Sequence, residues 1–186
     1  QAAAEQHTGG MVALLTDEQR ARDALARGQE RGVLCLAAHN APQQWVLSGE
    51  PAALDRAAEG VRAKRLAVAG AWHSPFMADA QRALSDVVAR LPERPLEATF
   101  IANRTGRPAG PELSQFLPEQ LTHPVRWADT LRGLAEPDTR FVTVGPGRVL
   151  RGLLRDNLGP EATVLTTETP ADLAATIHQL RGGTRP

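Results

Sequence analysis

The chain has 186 residues, of which 42% are hydrophobic and 23% are charged, the balance of a globular protein rather than of a disordered one. Its 21 Lys and Arg residues are matched by 21 Asp and Glu residues, which argues against nucleic acid or an anionic membrane as partner, because both favour a basic protein. No apolar run reaches the roughly 18 residues of a membrane span.

The single cysteine indicates a reducing environment. Cys35 lies in an apolar run, Val33 to Ala38, so we expect a buried small hydrophobic residue rather than a reactive thiol. With one cysteine no intrachain disulfide forms. Residues 1–6 lack the basic and apolar regions of a signal peptide. We therefore expect a cytoplasmic protein.

The first part of the chain has the pattern β-α-β-β-α-β. Strands are predicted from apolar runs and helices from apolar residues at helical spacing. The predicted elements are a strand at 11–15, a helix at 17–27 with Thr16 as its N-cap, strands at 33–40 and 44–47, a helix at 51–63 and a strand at 65–68. This order predicts a ferredoxin-like domain over residues 9–69. RNA-binding modules share the order, but Trp45 is the only aromatic residue on these strands, which argues against base stacking.

From residue 70 onward, strands and helices alternate, as in an α/β layer. The predicted elements are a helix at 78–91, a strand at 98–102, helices at 112–121 and 125–134, a strand at 140–144, a helix at 149–156, a strand at 163–166 and a helix at 171–180. The strand at 140–144 is apolar enough to be buried on both faces. Gly145-Pro146-Gly147 lacks the Lys-Ser/Thr of a phosphate loop, so a tight strand-to-helix turn is the better interpretation.

One histidine has the position of a functional residue. His73 follows a strand and the small residues 69–71, and it precedes a proline that begins the next helix. The carboxyl ends of strands are where α/β proteins place functional groups. The other reading is a histidine that only caps the helix. No two of the five histidines have metal-ligand spacing, so we predict no metal site.

Four motifs occur in order along the chain, and together they resemble one family. They are Asn40-x-Pro-x-Gln-x-Val-x-Ser-Gly49, Trp72-His-Ser-Pro-x-Met77, Gln120-Leu-Thr-x-Pro-Val-Arg-Trp127 and Val144-Gly-Pro-Gly-x-Val-Leu-x-Gly-Leu153. This series resembles malonyl-CoA:acyl carrier protein transacylases and the acyltransferase domains of polyketide synthases. The similarity runs from about Gln1 to Leu158. The resemblance implies a ferredoxin-like small subdomain attached, over residues 70–181, to the C-terminal part of an α/β-hydrolase-like large subdomain.

The resemblance also implies a two-step acyl transfer through an acyl-serine. Malonyl-CoA is the implied donor and the phosphopantetheine thiol of an acyl carrier protein the implied acceptor, with no bound cofactor. His73 matches the family's general base, and Gln120 matches the residue whose main-chain carbonyl orients the imidazole. Asn40 matches an asparagine near the mouth of the active site.

Trp72 matches the position that is related to acyl selectivity in the family. A bulky ring there is expected to crowd a branch at C2, which favours malonyl over methylmalonyl by roughly 1–3 kcal/mol. Packing in the core is the equally weighted alternative for this side chain.

The sequence departs from the family by lacking the nucleophile. No Gly-x-Ser-x-Gly occurs in the 186 residues, and Ser74, beside His73, is a poor substitute because adjacent side chains point apart. The chain opens at Gln1 without a methionine, so we expect an earlier natural beginning and an N-terminal half of the acyltransferase as partner. We expect no transacylase activity from the chain alone. The alternative function is an inert fragment or a docking module that binds a partner or a carrier protein.

Overall fold

The computed structural model describes residues 9–92, 94–110 and 113–182, apart from the side chain of Gln115. The strands are β1 (Gly10–Leu14), β2 (Leu34–Ala41), β3 (Gln44–Gly49), β4 (Ala63–Arg65), β5 (Ile101–Ala102), β6 (Arg107–Pro108), β7 (Arg140–Thr143) and β8 (Thr163–Thr166). The helices are α1 (Glu18–Gln29), α2 (Pro51–Ala58), α3 (Ala78–Val88), α4 (Leu113–Glu119), α5 (Trp127–Leu134), α6 (Val149–Leu158) and α7 (Pro170–Leu180), with a 3₁₀ helix at Pro75–Met77. One compact unit ends at Thr130 and a second begins at Leu131.

Strands β1 to β4 form one antiparallel sheet in the order β2-β3-β1-β4. With α1 after β1 and α2 after β3, this is the ferredoxin-like βαββαβ arrangement that the sequence predicts. Side chains alternate between the two faces of a strand, so β1 contributes to two clusters. Val12 and Leu14 pack with residues of α1 and α2, whereas Met11 and Ala13 pack on the other face with residues of β2 and β3.

Helix α1 begins one residue later than predicted, with Asp17 rather than Thr16 as its N-cap, and α2 ends early. The Asp17 side chain accepts a hydrogen bond from the backbone N–H of Arg20 at 2.9 Å, which caps α1. Helix α2 was expected to reach residue 63 and stops at Ala58, shortly before Gly60 with its φ of 70°. The next strand therefore lies at 63–65 rather than at 65–68, and it pairs with β1 over three residues.

The segment before α5 is extended, although a helix was predicted from Val125. Val125 forms a parallel bridge with Ala38 of β2. Its N–H donates to the carbonyl of Ala37 at 2.9 Å, and its own carbonyl accepts from the N–H of His39 at 3.0 Å. Because both backbone groups are used by the sheet, the helix begins only at Trp127.

In the second unit, β7 and β8 are parallel and are followed by α6 and α7 respectively. The prediction that the strand at 140–144 is buried on both faces is wrong for this structure, since Val142 is 38% and Val144 is 83% exposed. The reason is that the helices of this unit, α6 and α7, pack mainly against β8, and among the described residues no helix packs comparably on β7. Gly145 and Gly147 adopt φ values of 97° and 110° in the tight turn after β7, as predicted. No helix among the described residues is long and apolar enough to cross a membrane.

Candidate functional site

A sharp bend at the end of the first unit's sheet places His73. Gly70 has a φ of 84°, and His73 has a φ of 59°, the only positive φ of a non-glycine residue in the described part of the chain. A positive φ is energetically unfavourable for any residue that has a side chain. Residues in this conformation occur preferentially at functional sites. The bend is fixed by Ser74, which is fully buried and donates its hydroxyl to the carbonyl of Ala71 at 2.5 Å. Ser74 also caps the 3₁₀ helix by accepting the N–H of Phe76.

The imidazole of His73 is held by two main-chain carbonyls. Its Nδ1 lies 2.7 Å from the carbonyl oxygen of Gln120 and 3.1 Å from that of His123. Carbonyl oxygens only accept hydrogen bonds, so Nδ1 must carry the proton and donate to both. In the neutral ring this leaves Nε2 with a free lone pair, which is the form a general base requires.

The two carbonyls belong to one turn that follows α4. The turn is closed by the backbone N–H groups of Thr122 and His123, which both donate to the carbonyl of Glu119 at 3.2 and 3.1 Å. The ring Nδ1–H of His123 donates to the same carbonyl at 2.9 Å. The Glu119 carboxylate in turn pairs with Arg104.

The sequence-predicted site residues are therefore brought together in part. His73 and Gln120, which are 47 positions apart, are in direct contact. Trp72 packs partly against the Met11 cluster, and its Nε1–H donates to the carbonyl of Ala69 at 2.7 Å. Asn40 is partly buried near the end of β2, one residue after His39, whose N–H binds Val125 of the segment that follows the turn.

Cys35 is a neighbour of His73 that the motif analysis did not single out as part of the site. Its Sγ lies 3.5 Å from the main-chain carbonyl oxygen of His73 and 3.4 Å from that of Ser48. Burial raises the pKa of the Cys35 thiol to about 11, because a thiolate loses hydration there. The thiol is therefore neutral at pH 7 and serves as a weak donor, which agrees with the sequence interpretation. The sequence places Cys35 in an apolar strand, but it does not indicate that the strand lies beside His73.

Among the described residues, no serine, threonine or cysteine side chain is hydrogen-bonded to the ring of His73. Ser74 is committed to Ala71, and Ser85 on α3 donates to the carbonyl of Gln81 at 2.9 Å. Ser48 is fully buried in β3. Across the ranges that the structure describes, no three His, Cys, Asp or Glu side chains are grouped as metal ligands. The arrangement thus presents an oriented base without a serine to activate.

The comparisons with known proteins point to one family of enzymes. The chain is 40% identical over 163 residues to the polyketide biosynthesis protein ThaF of Burkholderia thailandensis, covering 83% of this chain and 14% of ThaF. It superposes on the malonyl-CoA:acyl carrier protein transacylase of Xanthomonas oryzae with a TM-score of 0.87 and 33% identity, covering 96% of this chain and 60% of that one. The acyltransferase domain from the second module of the salinomycin polyketide synthase gives a TM-score of 0.79 and 31% identity, over 93% of this chain and 44% of that one. No family model matches the chain.

The chain is thus homologous to malonyl-CoA:acyl carrier protein transacylases and to polyketide synthase acyltransferase regions, and it spans less than two thirds of the length of these relatives. The predicted resemblance is confirmed. The α/β fold class is confirmed as well, with a ferredoxin-like subdomain and part of an α/β-hydrolase-like subdomain.

Proposed function

We propose that this homologue of malonyl-type acyltransferases supplies the general base of an enzyme that moves a malonyl unit from CoA to the phosphopantetheine thiol of an acyl carrier protein. His73 is the base, and the carbonyl of Gln120 orients it. The observation that carries the proposal is the pair of carbonyls at 2.7 and 3.1 Å from Nδ1 of His73. They keep the proton on Nδ1 and leave Nε2 able to accept one.

The chemistry follows from that tautomer. Nε2 removes the hydroxyl proton of a serine outside this chain, and the serine oxygen attacks the thioester carbon of malonyl-CoA. The C–S bond breaks, and the leaving CoA sulfur takes the proton back from His73. In the second half, the carrier thiol gives its proton to Nε2 and attacks the acyl-serine, and the serine oxygen is reprotonated as it leaves. His73 carries one proton in each direction and is unchanged at the end.

The serine is proposed to come from an N-terminal half of the acyltransferase. No Gly-x-Ser-x-Gly is present in the 186 residues, and the second unit has an uncovered apolar surface. That surface includes Val142, Val144, Val149 and Leu150, with exposed fractions of 38%, 83%, 75% and 45%. Parallel strands are normally covered on both faces, and monomers rarely expose large apolar patches. Both features support a missing partner that packs on β7.

The proposed division of the chain follows the order of the motifs along the sequence. Residues 9–69 are the small subdomain, and residues 70–181 are the C-terminal part of the large one. The donor is free malonyl-CoA, no cofactor is bound, and neither nucleic acid nor membrane takes part. The cytoplasm is the proposed location, which fits a single cysteine that forms no intrachain disulfide.

The decisive experiment combines this chain with a polypeptide that carries a Gly-His-Ser-x-Gly segment from a homologous transacylase. Transfer of radiolabelled malonyl from CoA to a carrier protein is measured for each polypeptide and for the mixture. We expect activity from the mixture only. Substitution of His73→Ala should lower the rate about 10²–10⁴-fold, the usual contribution of a general base.

His178→Ala is the matched control, because His178 is exposed on α7 and should leave the rate unchanged. Turnover by the 186-residue chain alone, or equal activity of the two histidine variants in the mixture, would refute the proposal. A mixture that forms a stable complex without any transfer would favour the docking alternative.

Trp72 and Asn40 are proposed to act at the acyl-binding side of the same site. For Trp72 the proposal is steric exclusion of a C2 methyl group, so Trp72→Ser should lower the malonyl-to-methylmalonyl preference about tenfold, within the roughly 1–3 kcal/mol that one methyl group is worth. The ratio of the two rates in the reconstituted enzyme is the readout. Because the ring also packs against Met11 and its neighbours, the fold of the variant is checked by circular dichroism. An unchanged ratio in a folded variant would leave Trp72 with its packing role only.

A further inference from the structure

We infer that Thr122 and Gln81 are positioning residues for His73, because their hydrogen bond fixes the turn whose carbonyls select the tautomer of its imidazole. The catalytic meaning of that tautomer rests on the proposed function. The hydrogen-bond geometry does not, and it is tested separately below.

Thr122 and Gln81 connect the same two segments of the chain that the hydrogen bond between His73 and Gln120 connects. Gln81 lies on the first turns of α3, the helix that starts soon after His73, and Thr122 lies in the turn between Gln120 and His123. The Thr122 hydroxyl donates to Oε1 of Gln81 at 2.5 Å, and both side chains are partly buried. This bond spans 41 positions, and the His73–Gln120 bond spans 47. The same two segments are therefore connected through the His73 ring, which meets the carbonyls of Gln120 and His123, and through this side-chain pair.

The two-point connection matters because of how the carbonyls are presented. The imidazole reaches the turn through one N–H that both carbonyls share, which leaves the turn free to shift around that one donor, and hydrogen bonds weaken steeply as distance and angle depart from ideal values. The Thr122–Gln81 bond removes this freedom at the residue between the two accepting carbonyls. The Thr122 oxygen also lies 3.1 Å from Nδ1 of His123. The one N–H at Nδ1 is shared between this oxygen and the closer carbonyl of Glu119, so the network extends through the turn.

The hydrogen bond between Thr122 and Gln81 is expected to affect which ring nitrogen of His73 carries the proton, rather than only the stability of the fold. The proton of a neutral histidine stays on the nitrogen whose partner is best placed. When the carbonyls of Gln120 and His123 are held near Nδ1, the ring keeps its proton there. If the turn shifts, this preference weakens and more of the ring carries its proton on Nε2, where it blocks the lone pair.

The test is the tautomer ratio of His73 in the full 186-residue chain, measured from ring ¹⁵N chemical shifts at a pH where the ring is neutral. In Thr122→Val, which keeps the shape and removes the hydroxyl, the ratio of Nδ1–H to Nε2–H should fall about two- to tenfold, as expected for the loss of one net hydrogen bond. Gln81→Met, which removes the acceptor, should give the same fall. The double variant should fall no further than either single one, because both remove the same bond.

Two variants separate positioning from a merely structural role. Thr122→Ser keeps a hydroxyl and should restore the wild-type ratio. Thr130→Val removes a threonine hydroxyl that binds the carbonyl of Arg126 at 3.1 Å, away from the turn, and should not change the ratio. If Thr122→Val does not fold, the Gln81→Met result decides.

An unchanged tautomer ratio in folded Gln81→Met or Thr122→Val would overturn the inference. A lower ratio of Nδ1–H to Nε2–H in Thr122→Val and Gln81→Met, together with a wild-type ratio in Thr122→Ser, would support the inference. These results are independent of malonyl transfer, since the chain alone is the sample. If the tautomer responds as expected and the reconstituted mixture still shows no transfer, the proposed function fails and the positioning contact stands.

Discussion

Strand β1 of the first sheet and strand β7 of the second unit both carry apolar side chains, but their surroundings differ. In the first sheet, Val12 and Leu14 are 1% and 0% exposed, because α1 and α2 cover one face. In the second, Val142 is 38% exposed and the following Val144 is 83% exposed. Similar apolar sequence patterns are thus buried by the described residues in the first region, whereas in the second region the apolar side chains have no covering layer. Covered apolar strands contribute stability, whereas uncovered ones indicate a surface for association.

The largest expected effect comes from leucine truncation in the two regions. Leu54 of α2 is 0% exposed and Leu173 of α7 is 46% exposed. Leu54→Ala should lower the free energy of unfolding by about 2–5 kcal/mol, since it leaves a cavity in the core. Leu173→Ala should cost less than about 1 kcal/mol. Urea unfolding followed by NMR amide signals of β1 and of α7 reports each region separately. Equal losses would mean that the α7 face is covered after all.

A smaller effect is expected from adding one methyl group at helical glycines. A Cβ on Gly28 of α1 would lie 2.4 Å from Cδ2 of Leu34 and 2.7 Å from the carbonyl oxygen of Ala53. Gly28→Ala should therefore destabilise by about 1–3 kcal/mol, because two packed elements must separate.

Gly152 in α6 is the matched position, since a Cβ there meets no atom within 4 Å. Gly152→Ala should stabilise its helix by about 0.5–1 kcal/mol, the propensity difference between the two residues. The same urea experiment measures both variants. Destabilisation by Gly152→Ala would contradict the open environment assigned to α6.

The smallest effect concerns the thiol. Because the pKa of Cys35 is raised from 9.0 to about 11, its thiolate fraction near pH 8 is about 100-fold lower than that of an unperturbed thiol, and only the thiolate reacts. Iodoacetamide should therefore modify Cys35 slowly at pH 8 and faster as the pH rises towards 11. Ala174→Cys in a Cys35→Ser background places a thiol at an exposed position of α7. This thiol should react with iodoacetamide at the rate of an exposed thiol with an ordinary pKa. Equal rates for the two thiols would remove this distinction between the regions.

Prediction from the sequence was most reliable where local signals agree with long-range packing. The start of α1 was predicted to within one residue, because a short polar side chain before an amphipathic run satisfies the free N–H groups of the first turn, although Asp17 rather than Thr16 supplies the cap. The prediction for Val125 was wrong because its apolar character fits a helix and a strand equally well. Only the pairing with Ala38 decides between them. In the same way, the apolar run at 140–144 predicts a strand but does not show how many strands among the described residues pair with it.

The sequence by itself determined the order of elements over residues 10–65, the neutral charge balance and the motifs that relate His73 and Gln120 to an acyltransferase family. These depend on residue type and spacing, which are local properties of the chain. Only the tertiary structure decided that two carbonyls share the Nδ1–H of His73, and that Thr122 is bound to Gln81. Contacts between residues more than forty positions apart depend on how whole elements pack, and no local pattern encodes which backbone oxygen a side chain will meet.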